Sequence, residues 1–337
     1  MKKFMIRVAS LLLAVGLLAG CGGAPANNSS GTAAPEPSDV STPDAGSGAD
    51  GEAAAWPRTY VDASGTEVVL EAKPQKIAML FFHHYEAMLA LDAPLYAAAA
   101  LEVYNGWESL KPFAEKTELV DLGGTREPNL EKLVEVEPDL IIAAFGVHDA
   151  ILENLRKIAP TVAVSRTDNF STWQGTIREY GKILGEEALA EERITNLESL
   201  IKEARETLSA HSGEAVALIR TFDKDVNYWM PDFLYNTEGG VGLTSALEKP
   251  DGVAAGAVVS YEGFADANPA YIFLYEDALD ESDEAVWKSL ETNALWNSLD
   301  AVKNGRVYIL DRSVFSGGPL AMELGVNAIL DAMTASK

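Results

Sequence analysis

What the 337-residue chain lacks narrows its function first. It holds one cysteine, Cys21, so no disulfide can close within it. Its four histidines, His83, His84, His148 and His211, show no HxxxH or HExxH spacing, so a three-ligand zinc site would need acidic side chains from elsewhere. Basic residues are scarce. The 26 Lys and Arg stand against 51 Asp and Glu, a formal charge of −25 that argues against nucleic acid and against docking on anionic lipid. A glycine-rich phosphate loop, a GxSxG elbow and a paired acid and nucleophile are all missing, so an enzyme is not expected. The apolar run from Val8 to Ala19 is well short of the ~20 residues that a membrane-crossing helix needs.

What is present begins with that run. Lys2, Lys3 and Arg7 precede it and Leu18-Ala19-Gly20-Cys21 closes it, the pattern of a secretory signal over residues 1–20 with a lipoprotein cleavage site. Acylation of Cys21 is expected, because a diacylglyceryl thioether anchors firmly where one acyl chain does not. Cleavage removes those three basic residues and takes the formal charge from −25 to −28. Residues 21–55 are rich in Ala, Gly, Ser, Pro and Asp, with almost no large apolar side chain to offset chain entropy, and are read as a disordered tether. The remainder, from Trp56, suits two domains or one large one.

Thr59 to Leu70 carries two short β-rich runs around Asp62-Ala63-Ser64-Gly65, which predicts a hairpin. Apolar runs at 77–80, 95–100, 140–145 and 161–164 then alternate with helical patterns. Runs apolar at consecutive positions suit parallel strands covered on both faces, so the first half reads as α/β. Ser171-Thr172-Trp173-Gln174 offers a capping box to a helix ending near Gly185. A second helix places Ile194, Leu197, Ile201, Ala204 and Leu208 on one face. Strand-like runs return at 215–220, 258–260, 271–274 and 307–310, so the second half repeats the architecture of the first.

A local repeat supports this. Asn129-Leu130-Glu131 and Ser260-Tyr261-Glu262 each open a helix-like stretch, and each glutamate lies seven residues before a proline that precedes a strand. The two carboxylates are either independent charges favoured at helix starts or equivalent positions on two related halves.

At this point the sequence resembles the iron-siderophore and cobalamin class of periplasmic binding proteins of ABC importers, and within it the ferric hydroxamate binders. The resemblance runs from residue 59 to 334 and rests on VDASGTEVVLEAKPQKIAML, GGTREPNLEKLVEVEPDLIIA, the ILG segment and acidic helix after Trp173, LWNSLDAVKNGRVYILD and SGGPLAMELGVNAILDAM. It implies two Rossmann-like lobes with mostly parallel sheets, 56–170 and 186–337, joined by a single long interdomain helix at 171–185. It also implies that Glu131 and Glu262 dock on the two subunits of an ABC permease. A monomer on the outer face of the cytoplasmic membrane is expected, with no cofactor and an iron chelate as ligand.

Ligands of open α/β sheets bind beyond the carboxyl ends of strands. The loops there offer Phe82, His83, His84, Tyr85, Tyr104, Trp107, Arg126, Phe145 and His148 in the first half, and Arg220, Tyr228, Trp229, Tyr235 and Phe315 in the second. Aromatic walls with few cations suit a bulky, partly apolar chelate whose oxygens accept from arginine. Arg220 could instead pair with Asp223 or Asp225, and Thr125 stands where the hydroxamate binders carry their ligand arginine, so Arg126 matches it only approximately. Trp173 and Trp296 fall at helical spacing and read as core. Beyond Arg126, Arg166 and Arg220 these loops are poor in cations, which favours hydroxamate or mixed citrate chelates over the highly anionic triscatecholates. Haem or cobalamin is the alternative ligand. A metal-dependent surface hydrolase using His83, His84 and His148 is a reading of another class.

Overall fold

The computed structural model describes residues 56–335 except 166, 223, 249–255 and 277–282. The signal over 1–20, Cys21, the tether over 21–55, Arg166 and Asp223 therefore lie outside the described residues.

The predicted hairpin is present as β1 (Arg58–Val61) and β2 (Glu67–Leu70), antiparallel with Val61 opposite Glu67. Its turn is organised by Asp62, whose carboxylate accepts from the Ser64 and Thr66 amides and the Ser64 hydroxyl. Gly65 completes the turn at φ +78°, a left-handed conformation that a Cβ would oppose. The same carboxylate pairs with Arg156 at 2.9 Å and accepts from the Ala163 amide at 3.2 Å, fastening the hairpin to the first sheet.

The first half runs β3 (Ile77–Met79), α1 (Tyr85–Ala90), β4 (Leu95–Ala98), α2 (Leu101–Gly106), α3 (Lys111–Ala114), β5 (Val120–Asp121), α4 (Leu130–Val136), β6 (Leu140–Ala144), α5 (Leu152–Ile158) and β7 (Thr161–Val164). The strands form a parallel sheet in the order β5-β4-β3-β6-β7. Every residue of β3, β6 and β7 is buried, because successive side chains feed cores on opposite faces. Ile77, Met79, Leu140, Ile142 and Val162 enter one core, while Ala78, Leu80, Ile141, Ala143 and Ala163 enter the other.

Two helices follow, α6 (Trp173–Leu184) and α7 (Glu187–Leu208). Thr172 caps α6 by accepting from the Gly175 amide at 3.1 Å, and Gly185 ends it in the left-handed conformation. The buried Ile177, Tyr180, Ile183 and Leu184 of α6 all belong to the first half's core. It is α7 that crosses between the halves. Ala190 and Ile194 lie in the first core, and Leu197, Ile201, Ala204 and Leu208 lie in a core of the second. The helix whose buried side chains are divided between the two cores is thus longer and later than the expected 171–185, although Trp173 at the start of α6 also touches both, because the acidic helix after Gly185 has the continuous apolar stripe.

The second half runs β8 (Val216–Thr221), β9 (Asp225–Trp229), α8 (Asp232–Tyr235), β10 (Gly256–Ser260), α9 (Tyr261–Ala267), β11 (Tyr271–Glu276), α10 (Asp283–Thr292), α11 (Ala294–Ser298), α12 (Asp300–Lys303), β12 (Val307–Asp311) and α13 (Pro319–Thr334). Its sheet order is β10-β9-β8-β11-β12, with β8, β11 and β12 parallel and β9 and β10 antiparallel. Leu218 and Phe273 point into one core and Ile219 and Ile272 into the other, as in the first half. Trp296 is buried in the outer core, and Trp173 is partly buried against both inner cores.

Burial opposes ionisation of Asp62, but hydrogen bonds from Ser64, Ala163, Thr66 and Arg156 outweigh it and hold the carboxyl below its ordinary value of 3.8. Its stabilisation is therefore present above that value and lost as pH falls through the lowered one. Asp62→Ala is expected to cost about 3 kcal/mol near neutrality, with the deficit shrinking in acid. Urea denaturation at several pH values checks this, and an undiminished deficit at low pH would contradict it.

Candidate functional site

Both sheets change direction in the middle. From β3 the chain adds β4 and β5 on one side and then β6 and β7 on the other; from β8 it adds β9 and β10 on one side and β11 and β12 on the other. In the all-parallel first sheet such a reversal leaves a crevice beyond the strand ends, because the two flanking connections leave to opposite faces. In the second, β8 turns directly into antiparallel β9, and of the flanking connections only that from β10 to β11 crosses a face. Residues after β3 and β6 in one half, and at the ends of β8 and β11 in the other, therefore occupy the natural ligand positions.

In the first half the structure brings Phe82, His83 and Trp107 together, with Trp107 buried in the core behind the other two rather than lining a wall as expected. Phe82 is half-buried, its ring centroid 3.9 Å from that of the exposed His83, and Trp107 meets it edge-on at 6.2 Å. Phe145, just after β6, is 42% exposed, a large apolar ring left in water at the crevice. Arg126 is exposed on a short loop closed by the bridge between Gly123 and Pro128.

In the second half Trp229, Tyr275 and Phe315 form one cluster. Tyr275 and Phe315 have centroids 4.0 Å apart, and Trp229 stands edge-on to them at 5.8 and 5.5 Å. The Arg220 guanidinium lies 5.3 Å from the Phe222 ring and 5.9 Å from the Tyr275 ring, held by cation–π attraction.

Other expected ligand residues are used up inside the fold. Tyr85 is fully buried and its hydroxyl donates to the Ala99 carbonyl; Tyr104 is buried and donates to the Thr117 carbonyl at 3.2 Å. Tyr228 sits within β9, buried, and donates to the Glu248 carbonyl at 2.7 Å. The hydroxyl of Tyr235 on α8 points to the Val216 carbonyl at 3.4 Å, with its ring against the inner core. Burial raises the pKa of all four phenols, keeping them protonated donors. His84 is buried, stacked on Phe170 at 5.3 Å and hydrogen-bonded through Nδ1 to the Tyr180 hydroxyl at 2.9 Å.

His148 is also buried. The Ala144 amide donates to its Nδ1 at 2.8 Å, so the proton sits on Nε2, which donates to the Thr125 carbonyl at 2.6 Å. His148 thus ties the loop bearing Arg126 to the end of β6 and supports the site without lining it. Among the described residues, no group of three His, Cys, Asp or Glu side chains is placed to hold a metal ion.

Tyr275 escapes the sequence pattern because the apolar run YIFL ends at Leu274, whereas β11 continues to Glu276. Glu86 was missed as well, although one carboxylate inside the apolar stretch YEAMLAL is itself a signal. It is 1% exposed on α1, and its oxygens accept from the Ser109 hydroxyl at 2.8 Å, the Ser316 hydroxyl at 3.1 Å and the Ala321 amide at 3.1 Å. Beside it the Glu108 amide donates to Asp311 at 3.1 Å. These bonds join the halves at the edge of the site, one residue from Trp107 on one side and one from Phe315 on the other. An open cavity of about 400 Å³ beside this junction is lined by Asn105, Trp107, Glu108, Lys111 and Glu115 among others, and Trp107 is its one aromatic residue.

Burial pushes the Glu86 carboxyl up from 4.5 to about 7, with Asp311 adding to the rise, although the bonds from Ser109, Ala321 and Ser316 oppose it. The folded chain therefore holds this proton more tightly than the unfolded one. Its contribution to stability is fully present below pH 4.5 and is lost as pH rises through about 7. The span is worth about 3 kcal/mol. Glu86→Gln is expected to remove that pH slope from urea-denaturation stabilities measured between about pH 5 and 8. A slope identical to that of the unaltered chain would assign the titration elsewhere.

No helix among the described residues is long and apolar enough to cross a membrane. A family model described as periplasmic binding protein matches residues 83–314. The putative ABC transporter substrate-binding lipoprotein YhfQ of Bacillus subtilis (strain 168) is 31% identical over 222 residues, which are 62% of this chain and 67% of that protein. The ferric enterobactin-binding periplasmic protein FepB of Escherichia coli O6:H1 is 27% identical over 291 residues, 78% of this chain and 87% of that protein. Among solved structures, the Fe3+–Desferal-bound siderophore binding protein FhuD from Vibrio cholerae superposes with a TM-score of 0.63 at 22% identity, covering 77% of this chain and 98% of that one, a likeness of fold.

Proposed function

Because the chain belongs to the periplasmic binding protein family, we propose that it is the lipid-anchored solute-binding component of an ABC importer, and that it captures a ferric siderophore of hydroxamate or mixed citrate type. The observation that carries this reading is the aromatic clusters at the direction reversals of both sheets, Phe82, His83 and Trp107 on one half and Trp229, Tyr275 and Phe315 on the other. The accessible rings of these clusters, Phe82, His83, Trp229 and Phe315, backed by the buried Trp107 and Tyr275, suit a large chelate with apolar linkers, and its iron-bound oxygens are the acceptors for Arg220 and Arg126. FepB is named as ferric enterobactin-binding and the Vibrio FhuD structure holds Fe3+–Desferal, so the type of siderophore is argued from this chain's own residues. Arg220 beside the second cluster and Arg126 on an exposed loop are few cations, which suits a chelate of low charge better than a highly anionic one.

Capture needs no bond made or broken. The ligand is held between the clusters and handed to the permease, with Cys21 supplying the anchor on the outer face of the membrane. Titration of intrinsic fluorescence tests this with ferric desferrioxamine, ferric citrate, ferric enterobactin, haem and cobalamin. Saturable quenching by the hydroxamate or citrate chelate is expected, weakened at least ~10-fold by Arg220→Ala, about 1.4 kcal/mol. Binding of haem or cobalamin alone would replace the siderophore as ligand, and stoichiometric zinc with no chelate binding would overturn transport altogether.

Glu131 and Glu262 supply the docking surface in this reading. They occupy matching places: α4 and α9 each span seven residues, and Asn129 and Ser260 cap them by accepting from the Lys132 and Gly263 amides. Each helix ends on a left-handed residue, Glu137 or Asn268, before the proline and the next strand. Both glutamates are exposed in the first turn, where they can register two equivalent permease subunits. Replacing both by alanine should leave chelate affinity within about twofold while uptake of radiolabelled iron is lost. Weakened binding with normal uptake would remove the docking role.

A further inference from the structure

We propose that Glu86 is the positioning residue of the ligand site, a carboxylate from one half that clasps the start of α13 in the other and so sets the gap between the two aromatic clusters. The inference rests on the solute-binding reading above for its consequence, but the clasp itself stands on geometry.

α13 begins at Pro319, with Gly318 at its N-cap, and no side chain from its own segment caps it. Its first amides are therefore left to find an acceptor elsewhere. The acceptor is Glu86, more than 230 residues earlier in the chain, whose Oε2 takes the Ala321 amide. A carboxylate is favoured there by the aligned peptide dipoles of the 16-residue helix. Oε1 draws in Ser316 just before the helix and Ser109 from the first half, so one side chain gathers three donors from three segments. Gly318 is required by this arrangement, because a Cβ at that position would overlap the Glu86 carboxylate. The Ser316 hydroxyl also accepts from the Gly318 amide at 3.0 Å, which fixes the approach of the chain to the helix.

Asp311 faces the junction from the end of β12. It accepts from the Ser313 amide at 2.9 Å and from the Glu108 amide across the junction. Trp107 and Phe315 are chain neighbours of Glu108 and Ser316, so the clasp ties one member of each ring cluster to the junction. Behind α1, α6 packs with Ile177 and Tyr180, and the Tyr180 hydroxyl is engaged by His84. Nothing in the core requires a charge at position 86. Tyr85, Ala87 and Met88 beside it on α1 are buried in the core, and burying the carboxylate carries a desolvation cost that a packing role would not need.

A purely structural role and a positioning role make opposite forecasts for Glu86→Gln in the full-length chain. Amide hydrogen exchange of the ligand-free protein is the first measurement. We expect exchange at Ala321 and Glu108, measured at about pH 8 where the Glu86 carboxyl is ionised, to rise at least ~10-fold while the core strands β3 and β11 keep their protection, since Gln replaces one of the two accepting oxygens by a donor and removes the charge. Stopped-flow dissociation of ferric desferrioxamine and of ferric citrate is the second, with the off-rate rising by a similar factor and the on-rate changing less than about twofold. Ser316→Ala, which leaves Glu86 and the core intact, should give a smaller change of the same sign in both. Unchanged exchange at Ala321 and Glu108 in Glu86→Gln overturns the clasp. Faster exchange with unaltered dissociation overturns its positioning role. If the unaltered chain binds neither chelate, the ligand reading fails by itself, and the exchange measurement still decides the clasp.

Discussion

Ala190 and Ile194 of α7 are buried in one half, and Leu197, Ile201, Ala204 and Leu208 are buried in the other, so a single apolar stripe is divided between two cores. A 22-residue helix is about 33 Å long and its hydrogen-bond ladder resists bending. Each large side chain on the stripe is worth about 2 kcal/mol when buried. Pulling either half away would expose its share of that stripe, so the separation of the halves is set first by α7 and then adjusted at the edge where α1 meets α13. That edge is where Glu86, Ser109, Ser316 and Asp311 meet, and the aromatic clusters lie beside it.

The two halves are variations on one plan. Each sheet reverses direction at its middle strand, each is covered on both faces, and each carries a seven-residue helix with a capped start, an exposed glutamate and a left-handed end. They diverge at β9 and β10, which run antiparallel and bring Trp229 opposite Leu218, close enough to meet Tyr275 and Phe315. The second half thus gains its aromatic cluster from a departure in topology, while the first gains Phe82 and His83 from the turn directly after β3.

Much of this was legible in the residues. Consecutive apolar runs such as LIIAA mark strands buried on both faces, and the matched spacing of Glu131 and Glu262 to proline marks equivalent helices. What the chain order could not show was which aromatic rings turn inward. Tyr85, Tyr104 and Tyr228 have the composition of ligand contacts, yet their hydroxyls are spent on the backbone carbonyls of Ala99, Thr117 and Glu248. β9 was hidden because its period-two burial in DVNYW is short and polar at alternate positions, which resembles a loop. The joining helix was placed too early because Gly185 ends a well-capped helix; only tertiary packing reveals that the next one spans both cores.

The pairing of Glu86 with Gly318 also bears on how such a chain can vary. The carboxylate occupies the volume in which a Cβ at position 318 would stand, so any side chain there demands that Glu86 shorten or withdraw. A shorter residue at 86 relieves most of that overlap, and the Glu86 Cβ itself, 2.9 Å from where the methyl would stand, leaves a remainder that a small shift of α1 must absorb. Positions 86 and 318 therefore form one heritable unit, and descendants of this sequence should alter them together or leave both alone.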